Sequence, residues 1–167
     1  MPMINNDMEN VQRDILAENE PSLLISTQVT VGDIGRILVV DDEESLREIL
    51  SETISIMGYQ VALSSSGEDA LSQCLTTPFD LVLTDLQMTG MDGLTLARHI
   101  KNGSPSTPVV LMTGLGRNEL MEKIKENCID SFILKPFGFD DIQETIRKMF
   151  ELKASGGESS FSVVEKL

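Results

Sequence analysis

The chain has 167 residues, 41% of them hydrophobic, which is enough for one domain with a buried core and short extensions. Its 13 basic and 27 acidic side chains give a formal net charge of -14, which disfavours binding to a nucleic acid backbone and favours protein partners. No run of apolar residues is long enough to span a membrane, and Met1 to Glu20 lacks the basic start and apolar centre of a secretory signal. We therefore expect a cytoplasmic protein without membrane contact.

The two ends of the chain differ in composition from its middle. Residues 1–34 contain six acids and one base, which predicts an acidic and largely mobile extension. Within it, Ser22 to Val31 is more apolar, and we keep two interpretations: a linker packed loosely on the domain, or an element for docking or dimerisation. Residues 153–167 predict a short flexible tail, with no room for a DNA-reading output domain.

Between residues 35 and 152 the sequence alternates short apolar runs with segments of helical periodicity. The helix after the first run, for example, repeats apolar residues at Leu46, Ile49 and Leu50. The third helix is expected from about Asp92 to Ile100. Cys74 and Cys128 occupy apolar positions of expected helices and are interpreted as reduced core residues. The five predicted strands are Arg36–Val40, Tyr59–Leu63, Asp80–Thr84, Pro108–Met112 and Ser131–Leu134.

Five strands alternating with five helices predict an α/β fold with a doubly wound parallel sheet and helices on both faces. Right-handed crossovers limit the topology to a few arrangements. The second strand alternates polar and apolar residues more than the others do, as is typical of an edge strand.

Polar residues follow four of the strands directly. Asp41 and Asp42 follow the first, Asp85 ends the third, Thr113 follows the fourth and Lys135 follows the fifth. Ligand sites in open parallel sheets lie at this carboxyl edge, so we expect these side chains to meet there. Each residue alone has an ordinary explanation, such as a helix cap, a turn or a surface charge. Together, at four strand ends, they predict a site.

Three neighbouring carboxylates repel one another unless a cation joins them or their pKa values rise. Hard carboxylate oxygens suit Mg²⁺. A carboxylate is also a nucleophile that can form an aspartyl phosphate, with the metal and the Lys135 ammonium neutralising the phosphoryl oxygens. Thr113 offers a hydroxyl to the same group.

Four segments resemble the receiver domain of two-component response regulators. The segments are Ile37 to Glu43, Asp85 to Met88 with Met91 to Gly93, Leu111 to Thr113 and Phe132 to Phe137. The resemblance implies a flavodoxin-like (βα)5 fold with strand order 2-1-3-4-5. It also implies a cis Lys135-Pro136 bond.

The resemblance also implies the function and the roles of the site residues. A sensor histidine kinase or phosphotransfer protein would phosphorylate Asp85, and a downstream effector protein or a second copy of the chain would bind the switched surface. Asp42, Asp85 and the backbone carbonyl of Gln87 would ligate Mg²⁺, with Asp41 acting through a bound water. Thr113 and Lys135 would contact the phosphoryl oxygens, and Thr113 and Phe132 would form the switch. The domain would catalyse only its own phosphorylation and slow dephosphorylation, not act as an enzyme.

Two residues near the site lead to predictions about the loop and about the lifetime of the phosphoryl group. Thr89 stands where the family usually has proline, which predicts a looser loop. Leu115, two residues after the hydroxyl, is apolar and predicts slow loss of the phosphoryl group. Two other functions remain alternatives: a phosphate-independent interaction module, and an Asp-nucleophile phosphohydrolase. The adjacent Asp41-Asp42 pair disfavours the hydrolase, whose known examples carry Asp-x-Asp. His99 is expected to be exposed and without a catalytic role.

Overall fold

Five parallel strands form one sheet in the computed structural model of the chain, which describes residues 35–124 and 128–156. The strand order is β2-β1-β3-β4-β5, with one helix after each strand. This confirms the predicted flavodoxin-like fold, and β2 lies at an edge as expected. The strands are β1 (Arg36–Val40), β2 (Gln60–Ser64), β3 (Leu81–Asp85), β4 (Val109–Thr113) and β5 (Ser131–Leu134). The helices are α1 (Glu44–Ile56), α2 (Gly67–Thr76), α3 (Gly93–Gly103), α4 (Arg117–Lys123) and α5 (Phe139–Ala154).

Some boundaries differ from the sequence prediction by a few residues. Asp92 is not the first helical residue of α3 but its cap, with its carboxylate accepting the N–H of Thr95 at 2.7 Å. The helix ends at Gly103, because Ser104 precedes a proline and so avoids the helical region. Helix α5 runs to Ala154, past the predicted end of the domain.

The prediction that both cysteines lie in helices is half wrong. Cys74 belongs to α2, but Cys128 is buried in the connection just before β5. An apolar residue can be buried in a connection as well as in a helix, so its apolar character alone does not distinguish the two. The predicted extension 1–34 and residues 157–167 of the predicted tail lie outside the described residues. None of the described helices is long and apolar enough to cross a membrane.

Alternate residues of each strand face two separate apolar layers, which places helices on both sides of the sheet. On one side, Leu38, Val82 and Leu111 pack against α2, α3 and α4. On the other side, Ile37, Leu83 and Val110 pack against α1 and α5. Apart from Arg36 at the start of β1, every residue of the three central strands is buried, so the carboxyl ends of these strands form a well-supported edge on which a site can be built.

A salt bridge joins the end of α5 to the amino ends of the strands, opposite the predicted site. Lys153 Nζ lies 2.6 Å from Asp80 Oδ1, and the N–H of Arg36 donates to Asp80 Oδ2 at 2.9 Å. Partial burial raises the pKa of the Asp80 carboxyl, but the hydrogen bonds and charges of Lys153 and Arg36 outweigh this and lower the pKa below its usual value. The ionised carboxylate therefore ties the start of β1 to the end of α5.

We expect Leu83→Ala to reduce the free energy of unfolding by about 2 to 5 kcal/mol, because it opens a cavity in the fully buried centre of β3. Urea denaturation followed by circular dichroism measures the change. The control is Leu75→Ala on α2, whose side chain is 81% exposed and should change stability by about 0.5 kcal/mol or less. Equal losses in the two variants would contradict this core.

We expect Asp80→Asn to destabilise the protein at neutral pH by about 0.5 kcal/mol, a value discounted for the exposure of both charges. Because the folded pKa of Asp80 is lowered, its contribution is present above the unfolded pKa and disappears as pH falls through the folded pKa. The difference between wild type and variant should therefore vanish in acid. A difference that stayed constant down to pH ~2 would contradict the ionic contribution.

Candidate functional site

The register of the strands brings the predicted site residues to one edge. Val40 of β1 lies opposite Thr84 of β3, so Asp41 and Asp85 follow at the same level. Thr113 of β4 lies opposite Leu134 of β5, so Lys135 comes next at that edge. The N–H of Lys135 donates to the Thr113 carbonyl at 2.7 Å, which fixes where the lysine leaves the sheet.

Lys135 connects two buried carboxylates. Its ammonium nitrogen lies 2.7 Å from Asp85 Oδ1 and 3.1 Å from Asp41 Oδ2. Asp85 is 6% exposed and Asp41 is 1% exposed. The Lys135-Pro136 peptide bond is cis, as predicted. Three of the predicted site side chains are thus in direct contact.

The titration properties of this cluster follow from its burial. Burial raises the pKa of the Asp85 carboxyl, the neighbouring Asp41 adds to the rise, and Lys135 opposes it without cancelling it. For Lys135, burial lowers the pKa of the ammonium, but the two carboxylates outweigh it and the pKa rises. Asp85 therefore lacks full compensation for its negative charge, a condition that a further cation at this edge would relieve.

Backbone and side-chain donors hold Asp41 in place. Its Oδ1 accepts the N–H of Glu43 at 2.9 Å, and its own N–H donates to the carbonyl of Ser64 on β2 at 3.2 Å. Arg47 of α1 donates to the Asp41 carbonyl at 2.7 Å. The sequence analysis missed Arg47, although its place one turn into the helix after Asp41 could have indicated it. Asp41 is fixed, so it can position a cation or a water.

Asp42 does not join this cluster. Its side chain is exposed, and its Oδ2 accepts the N–H of Thr89 at 3.3 Å. Within residues 35–124 and 128–156, no group of three or more acidic, histidine or cysteine side chains is arranged to hold a metal ion. Lys135 already occupies the space between Asp41 and Asp85. The oxygen donors of Asp41, Asp42 and Asp85 nevertheless suit Mg²⁺ chemically.

Thr113 and Phe132, the two residues predicted to form the switch, are both buried. Thr113 is 1% exposed, and its hydroxyl oxygen accepts the N–H of Leu115 at 3.0 Å. Phe132 is 2% exposed and lies in the apolar layer with Leu111 and Leu120. The aromatic ring is therefore already inside the domain in this structure. His99 is exposed on α3, as predicted.

The backbone after Asp85 turns sharply against α3. The N–H of Gln87 donates to Asp85 Oδ2 at 2.8 Å, and the N–H of Gly93 donates to the Leu86 carbonyl at 3.0 Å. A Cβ on Gly93 would lie 2.2 Å from the carbonyl oxygen of Asp85. Only glycine therefore allows α3 to begin directly against the backbone of Asp85.

A protein-family model described as the response regulator receiver domain matches residues 37–147. The chain belongs to this family. Proteins with this domain are signalling switches of two-component systems, which agrees with the fold and with the strand-end residues found here.

Several proteins resemble this receiver domain. The transcriptional regulatory protein ZraR of Salmonella typhimurium is 42% identical over 113 residues, covering 67% of this chain but only 25% of ZraR. Sporulation initiation phosphotransferase F of Bacillus subtilis is 32% identical, covering 72% of this chain and 97% of that protein. The crystal structure of response regulator TrrA from Thermotoga maritima in complex with Mg²⁺-BeF has a TM-score of 0.64 at 32% identity, covering 69% of this chain and 98% of TrrA.

We expect Gly93→Ala in this receiver domain to destabilise the fold by about 2 kcal/mol or more, because the added methyl group meets the Asp85 backbone, which cannot move without shifting β3. The control is Gly103→Ala at the other end of α3, where a Cβ meets nothing within 4 Å. That change should be neutral or stabilising by up to about 1 kcal/mol. Thermal unfolding measures both, and a harmless Gly93→Ala would contradict the close approach.

Proposed function

We propose that this receiver domain accepts a phosphoryl group on Asp85 from a phosphohistidine of a sensor histidine kinase or phosphotransfer protein. The observation that carries the proposal is the buried Asp85 carboxylate with the Lys135 ammonium 2.7 Å away. Isolated ionised carboxylates are not buried without compensation, and this one lies at the edge where ligands bind. Its second oxygen is held by the N–H of Gln87, so the carboxylate is oriented before a donor arrives.

The magnesium ligands in this proposal are Asp42, Asp85 and the backbone carbonyl of Gln87, with Asp41 acting through a bound water. When bound, Mg²⁺ supplies positive charge that neutralises the carboxylates and the incoming phosphoryl oxygens. Asp42 is suited to join because it is exposed and held by one long hydrogen bond. Asp41 is suited to the indirect role because Glu43 and Lys135 already occupy its two oxygens. The crystal structure of TrrA in complex with Mg²⁺-BeF supports the choice of metal.

In the transfer, an oxygen of Asp85 attacks phosphorus while the bond from phosphorus to the donor imidazole breaks. Lys135 then contacts a phosphoryl oxygen with its ammonium, and Thr113 contacts another with its hydroxyl. For this, the Thr113 hydroxyl must turn toward the phosphoryl group and exchange its present contact with Leu115. The chain catalyses this transfer on itself and is a switch rather than a conventional enzyme.

The output of the switch is a change in the surface formed by α4, β5 and α5. We assign the buried position of the Phe132 ring to the phosphorylated state. In the unphosphorylated state the ring would be rotated outward. Downstream partners are effector proteins that bind this surface, or a second copy of the chain. The match to nearly all of Sporulation initiation phosphotransferase F supports a role in phosphoryl transfer.

The first test is incubation of the protein with a small phosphodonor, with Mg²⁺ or with a chelator, followed by intact-protein mass measurement. We expect the gain of one phosphoryl group with Mg²⁺ and none in Asp85→Asn, because that substitution removes the proposed acceptor carboxylate beside Lys135. The matched control is Asp80→Asn, which removes a carboxylate at the opposite edge of the sheet. An adduct of equal yield in Asp85→Asn would show that Asp85 is not the acceptor.

The second test follows the lifetime of the adduct. Leu115 is half-buried against the apolar layer beside Thr113, where an apolar side chain opposes the approach of water. We expect the phosphoryl group to be lost slowly from wild type and severalfold faster from Leu115→Asn. Mass measurement at timed intervals after removal of the donor gives the two half-lives. Equal half-lives would contradict a role of Leu115 in excluding water.

A further inference from the structure

The loop from Gln87 to Met91 is held by a regular series of carboxylates. The N–H of Gln87 donates to Asp85 at 2.8 Å, that of Thr89 to Asp42 at 3.3 Å, and that of Met91 to Glu68 Oε1 at 3.0 Å. Alternate amides of one loop thus bind acidic side chains from three elements: β3, the β1–α1 connection and α2. Two of these acids are predicted site residues. Glu68 is not, and nothing in the sequence motifs singled it out.

The contact between α2 and the loop is close on both sides. Gly90 has a φ of +83°, and a Cβ there would lie 2.9 Å from Glu68 Oε1. On the helix side, a Cβ on Gly67 would lie 2.8 Å from the Met91 carbonyl oxygen. Two glycines therefore allow the first turn of α2 and the loop to approach each other, with the Glu68 carboxylate seated on the loop backbone.

The three carboxylates that hold the loop have different roles in the proposed function. Asp85 and Asp42 are proposed metal ligands, so a bound cation would draw their oxygens away from the loop amides. Glu68 lies on α2, outside the cluster formed by Asp41, Asp85 and Lys135, and keeps its hold on Met91. It is then the acidic anchor that still fixes the loop carrying the Gln87 carbonyl.

We propose that Glu68 is a positioning residue for the magnesium and phosphoryl site, acting through the Met91 amide on the loop that follows the phosphoacceptor. The inference rests on the proposed function and adds to it a residue of α2. Holding Met91 limits the directions in which the Gln87 carbonyl can point, so less ordering remains to be done when the cation binds.

Glu68 has two other effects that the test must separate from positioning. Its negative charge attracts Mg²⁺ over a distance. It also stabilises the first turn of α2 by interacting with the helix dipole.

Two substitutions distinguish the effect of the charge from the effect of side-chain length. Glu68→Gln keeps an acceptor oxygen at the same length and removes the charge, whereas Glu68→Asp keeps the charge and shortens the side chain by one methylene.

The experiment is a titration of the unphosphorylated full chain with MgCl₂, followed by the NMR shifts of the backbone amides of residues 85–93. Met91 amide hydrogen exchange is measured in the same samples. We expect Glu68→Ala and Glu68→Asp to bind Mg²⁺ about three- to tenfold more weakly and to lose protection at Met91. Glu68→Gln should stay within about twofold of wild type and keep that protection. Glu52→Ala on α1, which removes one exposed carboxylate elsewhere, is the control and should match wild type.

Two results would overturn the inference. If Glu68→Gln weakens binding as much as Glu68→Ala while Glu68→Asp does not, the effect is one of charge. If Glu68→Ala binds like wild type, the loop needs no anchor on α2. Failure of the proposed metal site is a separate result, because wild type itself would then show no Mg²⁺-dependent shifts, and both proposals would fall. Urea denaturation of each variant excludes loss of folding as the cause.

Discussion

The site depends on one electrostatic constraint: two buried carboxylates share one ammonium. Asp41 and Asp85 follow adjacent strands, so the parallel register alone places like charges side by side. Lys135 enters from β5, which is separated from β3 by β4. Two strand spacings are roughly 10 Å, a distance that a long flexible side chain can cross and a short one cannot. The intervening strand β4 ends at Thr113, a short side chain that is itself buried.

Much of the fold could be predicted because the pattern is simple. Buried central strands appear as continuous apolar runs and each helix shows one apolar stripe, so the number of strands and their connection by helices can be predicted. The alternation of polar and apolar residues in β2 predicts its position at an edge. Strand order came from the family resemblance, because crossover rules leave several orders open. Boundaries were less certain, since a cap such as Asp92 and a helical residue look alike in sequence. Cys128 was misplaced because burial alone does not distinguish a helix from a connection.

The site was predictable to the level of residue types at strand ends and no further. Sequence cannot show that Asp41 and Asp42, adjacent in the chain, point to different surroundings, one buried on Lys135 and one exposed on Thr89. It also cannot show Glu68, whose carboxylate accepts a backbone amide of a distant loop. Contacts between a side chain and a distant backbone leave no spacing rule, because almost any residue can supply the backbone partner.

Strand β5 connects the Lys135 end of the acidic cluster to both apolar layers. Its neighbouring residues Phe132 and Ile133 point to opposite sides of the sheet, one into the layer under α4 and the other into the layer under α5. Lys135 follows two residues later. Because both layers are close-packed, a displacement of this edge strand would be felt in both of them. A change of charge at Lys135 would therefore reach two helices, α4 and α5, that lie on opposite faces of the sheet.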